Sequence, residues 1–136
     1  MSFDFLAQPY DGGTYSFGFV DSGQSPKPGM IAYVERMGPV GYQLSVNNLG
    51  GGTFGTLGVI VGVSDDELAN KKRVTVITDG TITLKNLQCV SPTTTLAVGN
   101  SITWTEDGVV SIKQDSPRFC VLSKTTNTVR IQLIYL

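Results

Sequence analysis

Short apolar runs in period-two alternation, broken every few residues by Gly, Asp, Asn or Pro, dominate the chain from Met30 onward. Such alternation sets one face of an extended strand on a core and the other in solvent. Residues 30–36 and 41–46 read as a strand pair around Met37-Gly38-Pro39-Val40, and 57–63 as an apolar strand containing Gly58 and Gly62. Glycine inside a strand marks a bulge or a close approach of another backbone. Residues 74–78 and 81–84 flank Asp79-Gly80, a favoured two-residue hairpin sequence. An unbroken, bulged strand over 74–84 fits as well, because Val74, Val76, Ile82 and Leu84 share parity.

Residues 101–105 and 109–113 flank Glu106-Asp107-Gly108, and here the faces discriminate. A two-residue loop sets Trp104 opposite Ser111 and mixes apolar with polar positions. A three-residue loop with Gly108 in the left-handed region pairs Ile102 with Ile112 and Trp104 with Val110, and is the expected one. Residues 119–123 and 128–135 form the last two strands, the latter alternating Val129, Ile131, Leu133 and Tyr135 with Arg130 and Gln132. A terminus this apolar is expected in the core or in a subunit contact.

One segment carries a helical signal. Ser64-Asp65-Asp66-Glu67 has the form of a capping box, with Leu68 and Ala69 after it, and predicts one short helical turn. Residues 1–29 differ from the rest. Phe3, Phe5, Tyr10, Tyr15, Phe17 and Phe19 are half of all the aromatic residues, dispersed among glycines and closed by Pro26-Lys27-Pro28-Gly29. This stretch reads either as a first strand or as an arm docking on a neighbouring molecule, with 30–136 as the β domain proper. The predicted fold is all-β: a β-sandwich or small β-barrel of about ten short strands with one short helical turn and an N-terminal arm.

Composition fits one domain of 136 residues, long enough to fold without metal or disulfide staples. A net charge of −1, with no basic run longer than Lys71-Lys72-Arg73, argues against nucleic acid as a partner. No apolar stretch approaches the roughly twenty residues of a membrane-spanning helix, and residues 1–5 lack the form of a signal peptide. Cys89 and Cys120 both sit in apolar surroundings and are expected as buried, reduced thiols.

The chain contains no histidine. That removes the commonest general base and metal ligand, and with them the Ser-His and Cys-His nucleophilic pairs. No zinc spacing is present, and Gly50-Gly51-Gly52-Thr53-Phe54-Gly55 precedes a strand rather than the helix a phosphate loop requires. The acids lie mostly beside Gly, Ser or turn positions, where turn chemistry accounts for them. No catalytic residue, metal site or cofactor is expected, and Trp104 reads as a core residue.

From Gly58 onward the chain runs through Gly58-Val59-Ile60-Val61-Gly62-Val63 and the long segment Val74-Thr75-Val76-Ile77-Thr78-Asp79-Gly80-Thr81-Ile82-Thr83-Leu84. Leu96-Ala97-Val98-Gly99-Asn100-Ser101-Ile102-Thr103-Trp104, the Asp107-Gly108-Val109-Val110 hairpin and Thr128-Val129-Arg130-Ile131-Gln132-Leu133 then follow. With Lys27-Pro28-Gly29-Met30-Ile31-Ala32 as first core strand, this order resembles the capsid decoration, or head cement, proteins of tailed bacteriophages. The likeness covers residues 27–136 and lies in pattern and order. It implies a structural virion protein, assembled in the host cytoplasm, that binds the major capsid protein on the outside of the head shell and self-associates as a homotrimer. On that reading Phe3, Phe5, Tyr10, Tyr15 and Phe17 meet the shell and the C-terminal strands join subunits. The alternative is a carbohydrate- or receptor-binding β-module of a phage tail or fibre, using Trp104 or exposed tyrosines as stacking platforms.

Overall fold

The computed structural model describes residues 11–21, 23–38, 41–47, 55–68, 70–85, 88–89, 96–112, 118–125 and 128–134. These residues form ten strands and no helix: β1 (Asp11–Asp21), β2 (Ile31–Gly38), β3 (Gly41–Ser45), β4 (Thr56–Leu68), β5 (Lys71–Lys85), β6 (Gln88–Cys89), β7 (Ile102–Trp104), β8 (Val109–Ile112), β9 (Phe119–Lys124) and β10 (Thr128–Leu133). Five of them close on themselves in the order β1-β3-β2-β4-β5, with β5 pairing back onto β1. The fold is therefore an all-β barrel with added strands. β10 and β9 extend the sheet beyond β5, and β6, β8 and β7 make a separate three-stranded sheet.

Residues 1–29 were open to two readings, and Asp11–Asp21 is a strand of the barrel wall, running antiparallel to β5 and parallel to β3 at Gly18, Phe19 and Val20. The Pro28-Gly29 turn takes the tight form expected, with Gly29 at φ 96° and the Met30 amide donating to the Lys27 carbonyl at 3.2 Å. β7 and β8 pair in the three-residue-loop register, Ile102 with Ile112 and Trp104 with Val110, with Gly108 at φ 80°. The apolar C-terminal strand is in the core: Val129, Ile131 and Leu133 are buried.

The predicted helical turn is not formed. Ser64, Asp65, Asp66, Glu67 and Leu68 continue β4, and Glu67 and Leu68 pair with Lys72 and Lys71 of β5. The chain reverses through Asn70, which takes φ 61°. A capping box must nucleate a helix, a costly step for one turn. Here the alternative is ladder pairing with a strand already in place.

Asp79-Gly80 lies inside β5 instead of at a hairpin, so β5 is the unbroken strand of fifteen residues. Its first half lines the barrel, where Val74 and Val76 pack with Val20, Ala32, Val34, Leu44 and Ile60. Its second half supplies Ile82 and Leu84 to another core, formed with Trp104, Val110, Phe119, Val121, Ile131 and Leu133. Ile77 belongs to this second core too, although strict alternation puts residues 77 and 82 on opposite faces. The slip in alternation lies between them. Tyr15 pairs with Ile77 and Thr14 with Asp79, leaving Thr78 as an extra residue, and Gly80 follows at φ 114°.

This bulge is also where β5 changes partner. The β4 pairing ends at Val59 with Ile77, and the β10 pairing begins at Leu133 with Gly80. Thr81 has Asp11 of β1 on one side and Gln132 of β10 on the other, so β10 takes the edge that β4 leaves. β4 is itself irregular here, because Ala32 pairs with Gly58 and Tyr33 with Thr56, making Leu57 an extra residue. Bulges and strand ends leave backbone carbonyls outside the ladder, and a buried one needs another donor. Arg118 supplies it. Its Nη2 donates to the carbonyls of Leu57 at 2.9 Å and Thr78 at 2.6 Å, and its Nη1 to that of Ile134, just past β10. Arg118 is only 8% exposed.

Gly58 is the second fixed point of this junction. A Cβ there would lie 2.0 Å from the carbonyl oxygen of Ile77, a backbone atom of the neighbouring strand. Both in-strand glycines of β4 thus mark the features expected of them, since a register shift also falls between Ile60 and Gly62.

Two stability predictions follow from the junction. Arg118→Met keeps the aliphatic stem but removes every donor, and is expected to lower unfolding free energy in urea by about 3 kcal/mol or more; a loss within about 0.5 kcal/mol contradicts the capping role. Gly58→Ala is expected to cost about 3 kcal/mol or to prevent folding, whereas Gly23→Ala, where nothing lies within 4 Å of the added carbon, stays within about 0.5 kcal/mol of the parent.

Candidate functional site

Two surfaces carry the residues to which the sequence points. The first is the outer face of β1. Gly18 and Val20 are buried, Val20 in the barrel, so Tyr15 and Phe17 share the opposite, outer face, at 39% and 51% exposure. The Arg73 guanidinium carbon sits 4.2 Å from the centre of the Phe17 ring, a cation–π contact across the β1–β5 pair. Below it, Gln43 joins Asp21 and Lys71: its amide donates to Asp21 Oδ1 at 3.3 Å and its carbonyl oxygen accepts from Lys71 Nζ. Lys71 and Asp21 also approach to 3.5 Å, though both are too exposed for that ion pair to count for much.

Of the five residues expected to meet a partner, Tyr15 and Phe17 are therefore brought together on one rigid strand. Phe3, Phe5 and Tyr10 lie outside the described residues. The other exposed large apolar residues among those described are Val98, in the turn before β7, Ile112 of β8 and Leu122 of β9. Single exposed apolar side chains of that sort are ordinary. Two aromatic rings side by side on a closed barrel are a more pointed feature, because tyrosine and phenylalanine there gain from being covered.

The second surface is a cleft of about 600 Å³ between the barrel and the β7–β8 hairpin. Tyr33 of β2 and Asn47 after β3 line one side; Thr103, Glu106, Asp107 and Ser111 line the other. The hairpin is held in place by Trp104, whose Nε1 donates to the Gly29 carbonyl at 2.9 Å. The Trp104 ring packs against Phe119 with centroids 4.9 Å apart and planes tilted by 53°. Trp104 is 2% exposed, so it is the core residue expected and offers no open face on which a sugar ring could stack. Thr105 closes the turn, its Oγ1 accepting from the Asp107 and Val109 amides at 3.3 and 3.2 Å.

Tyr33 is buried in the wall of the cleft. Burial pushes its phenol above the usual range, the Thr103 side chain pulls it partly back, and the negative charge of Glu106 adds to the rise. The phenol thus stays protonated at neutral pH.

No cluster of three or more metal-ligating side chains occurs among the described residues. Asp21, Glu35, Asp79 and Asp107 are at the surface, and only Glu106 and Asp107 line the cleft. Cys120 is a free, half-buried thiol, not the fully buried one expected. The side chain of Cys89 and residues 48–54 of the Gly-rich loop lie outside the description. The sequence reading missed the cleft and Arg118, because both depend on strands far apart in the chain meeting at one place. No protein-family model, no curated protein and no solved structure matches this chain.

Proposed function

We propose that this protein is a structural component of a tailed-phage virion that binds the outer surface of the head shell and stabilises it, without catalysis. The observation that carries this reading is the exposed Tyr15–Phe17 pair on β1. The pair lies on a wall that is hydrogen-bonded along its length to β5, so covering it costs little conformational entropy. Arg73 beside Phe17 adds a cationic group at the edge of the apolar spot, an arrangement suited to a hot spot with a polar rim. The resemblance of the sequence pattern over residues 27–136 to head decoration proteins supports the same reading. The major capsid protein is the partner, and a homotrimer gives the contact its strength, since many copies of a modest contact on a regular shell hold by multivalency.

The test is cosedimentation of the purified protein with expanded head shells that lack it. Saturable binding is expected, and the double variant Tyr15→Ala, Phe17→Ala should bind about tenfold more weakly or worse while keeping its thermal unfolding midpoint. A monomeric protein with no affinity for such shells, or a double variant that binds as well as the parent, overturns the proposal.

A further inference from the structure

We infer that the cleft between the barrel and the β7–β8 hairpin is a binding site for a neutral saccharide of one or two rings, separate from the Tyr15–Phe17 face and independent of the head-shell reading. The volume, about 600 Å³, falls within the range of roughly 300–1,000 Å³ typical of small-ligand sites. The hairpin wall is anchored by Trp104, whose indole donates to the Gly29 carbonyl, so that side of the cleft is preformed.

The chemistry of the walls selects the ligand. Glu106 and Asp107 stand next to each other at the mouth, half-buried and exposed respectively, and each carboxylate offers two oxygens that accept hydrogen bonds. Ser111, half-buried, adds a hydroxyl. Paired acceptors with neighbouring donors match the vicinal hydroxyls of a sugar, every one of which both donates and accepts. No Lys or Arg is among the described lining residues, so against these walls a phosphate, sulfate or carboxylate would meet two negative charges. A quaternary ammonium is disfavoured for another reason. The aromatic rings that line the cleft, Trp104, Phe119 and Tyr33, are 2%, 2% and 9% exposed, so none presents an open face to cage it. The apolar lining left beside the polar groups suits the C–H edges of a pyranose.

Trp104 is the only tryptophan in the chain and lines this cleft, so its fluorescence reports occupancy. The intact protein would be titrated with glucose, galactose, N-acetylglucosamine and maltose, and in parallel with glucose 6-phosphate, glucuronate and choline. At least one neutral sugar is expected to give a saturable change at low-millimolar concentration, with no response to the anions or to choline. Glu106→Ala and Ser111→Ala, which leave the Trp104 and Thr105 anchors in place, should each weaken binding about tenfold with an unchanged unfolding midpoint. Tyr15→Ala with Phe17→Ala should leave sugar binding intact, which keeps failure here distinct from failure of the shell contact. Silence with all four neutral sugars up to about 100 mM overturns the inference, as does equal or tighter binding of an anion or of choline.

Discussion

The guanidinium of Arg118 lies where three strands fail to continue one another. β4 leaves β5 at Ile77, β10 joins it at Gly80, and the bulges at Leu57 and Thr78 turn their carbonyls out of the ladder. A sheet that forks in this way carries an inherent cost, since each buried carbonyl stripped of water and left without a donor is worth about 1–3 kcal/mol. A planar cation with several N–H groups in a fixed fork can serve carbonyls from different strands at once, which a lysine ammonium does less well. With that junction satisfied, β5 can serve two cores. Its first half completes the barrel around Val74 and Val76, and its second half builds the outer layer around Ile82 and Leu84.

The two candidate surfaces both depend on this division. Closing the barrel by pairing β1 with β5 turns Val20 inward and leaves Tyr15 and Phe17 outward on a braced wall. Adding the outer layer beside the barrel leaves a cleft between the β7–β8 hairpin and β2, with Trp104 anchoring the hairpin to the Gly29 carbonyl. The exposed aromatic pair and the cleft are thus consequences of the same arrangement of strands.

Features governed by near neighbours could be read from the sequence. The Glu106-Asp107-Gly108 loop and the buried face of β10 each follow from alternation and turn chemistry over a few residues. Tertiary pairing decided the rest. Ser64-Asp65-Asp66-Glu67 is a good local helix start, but β5 offers it a strand partner, and the pairing wins. Asp79-Gly80 has the form of a hairpin turn, and the chain uses its glycine for a bulge within a strand instead. Val74, Val76, Ile82 and Leu84 share parity, yet they divide between two cores because the alternation slips between Ile77 and Ile82. Arg118 was silent for the same reason: Leu57 and Thr78 lie 61 and 40 residues away, and nothing local shows that their carbonyls will need a donor. The exposure of Tyr15 and Phe17 likewise depends on β1 closing against a strand about sixty residues further on.

If the Arg118 junction makes barrel and outer layer one cooperative unit, native-state amide hydrogen exchange in low denaturant tests this most directly. The account predicts that ladder amides of the barrel, such as those at Val74 and Val76, share a single opening free energy with those of the outer layer, at Ile82 and Ile131. Exchange in which Ile82 and Ile131 open at clearly lower free energy than Val74 and Val76 would contradict it.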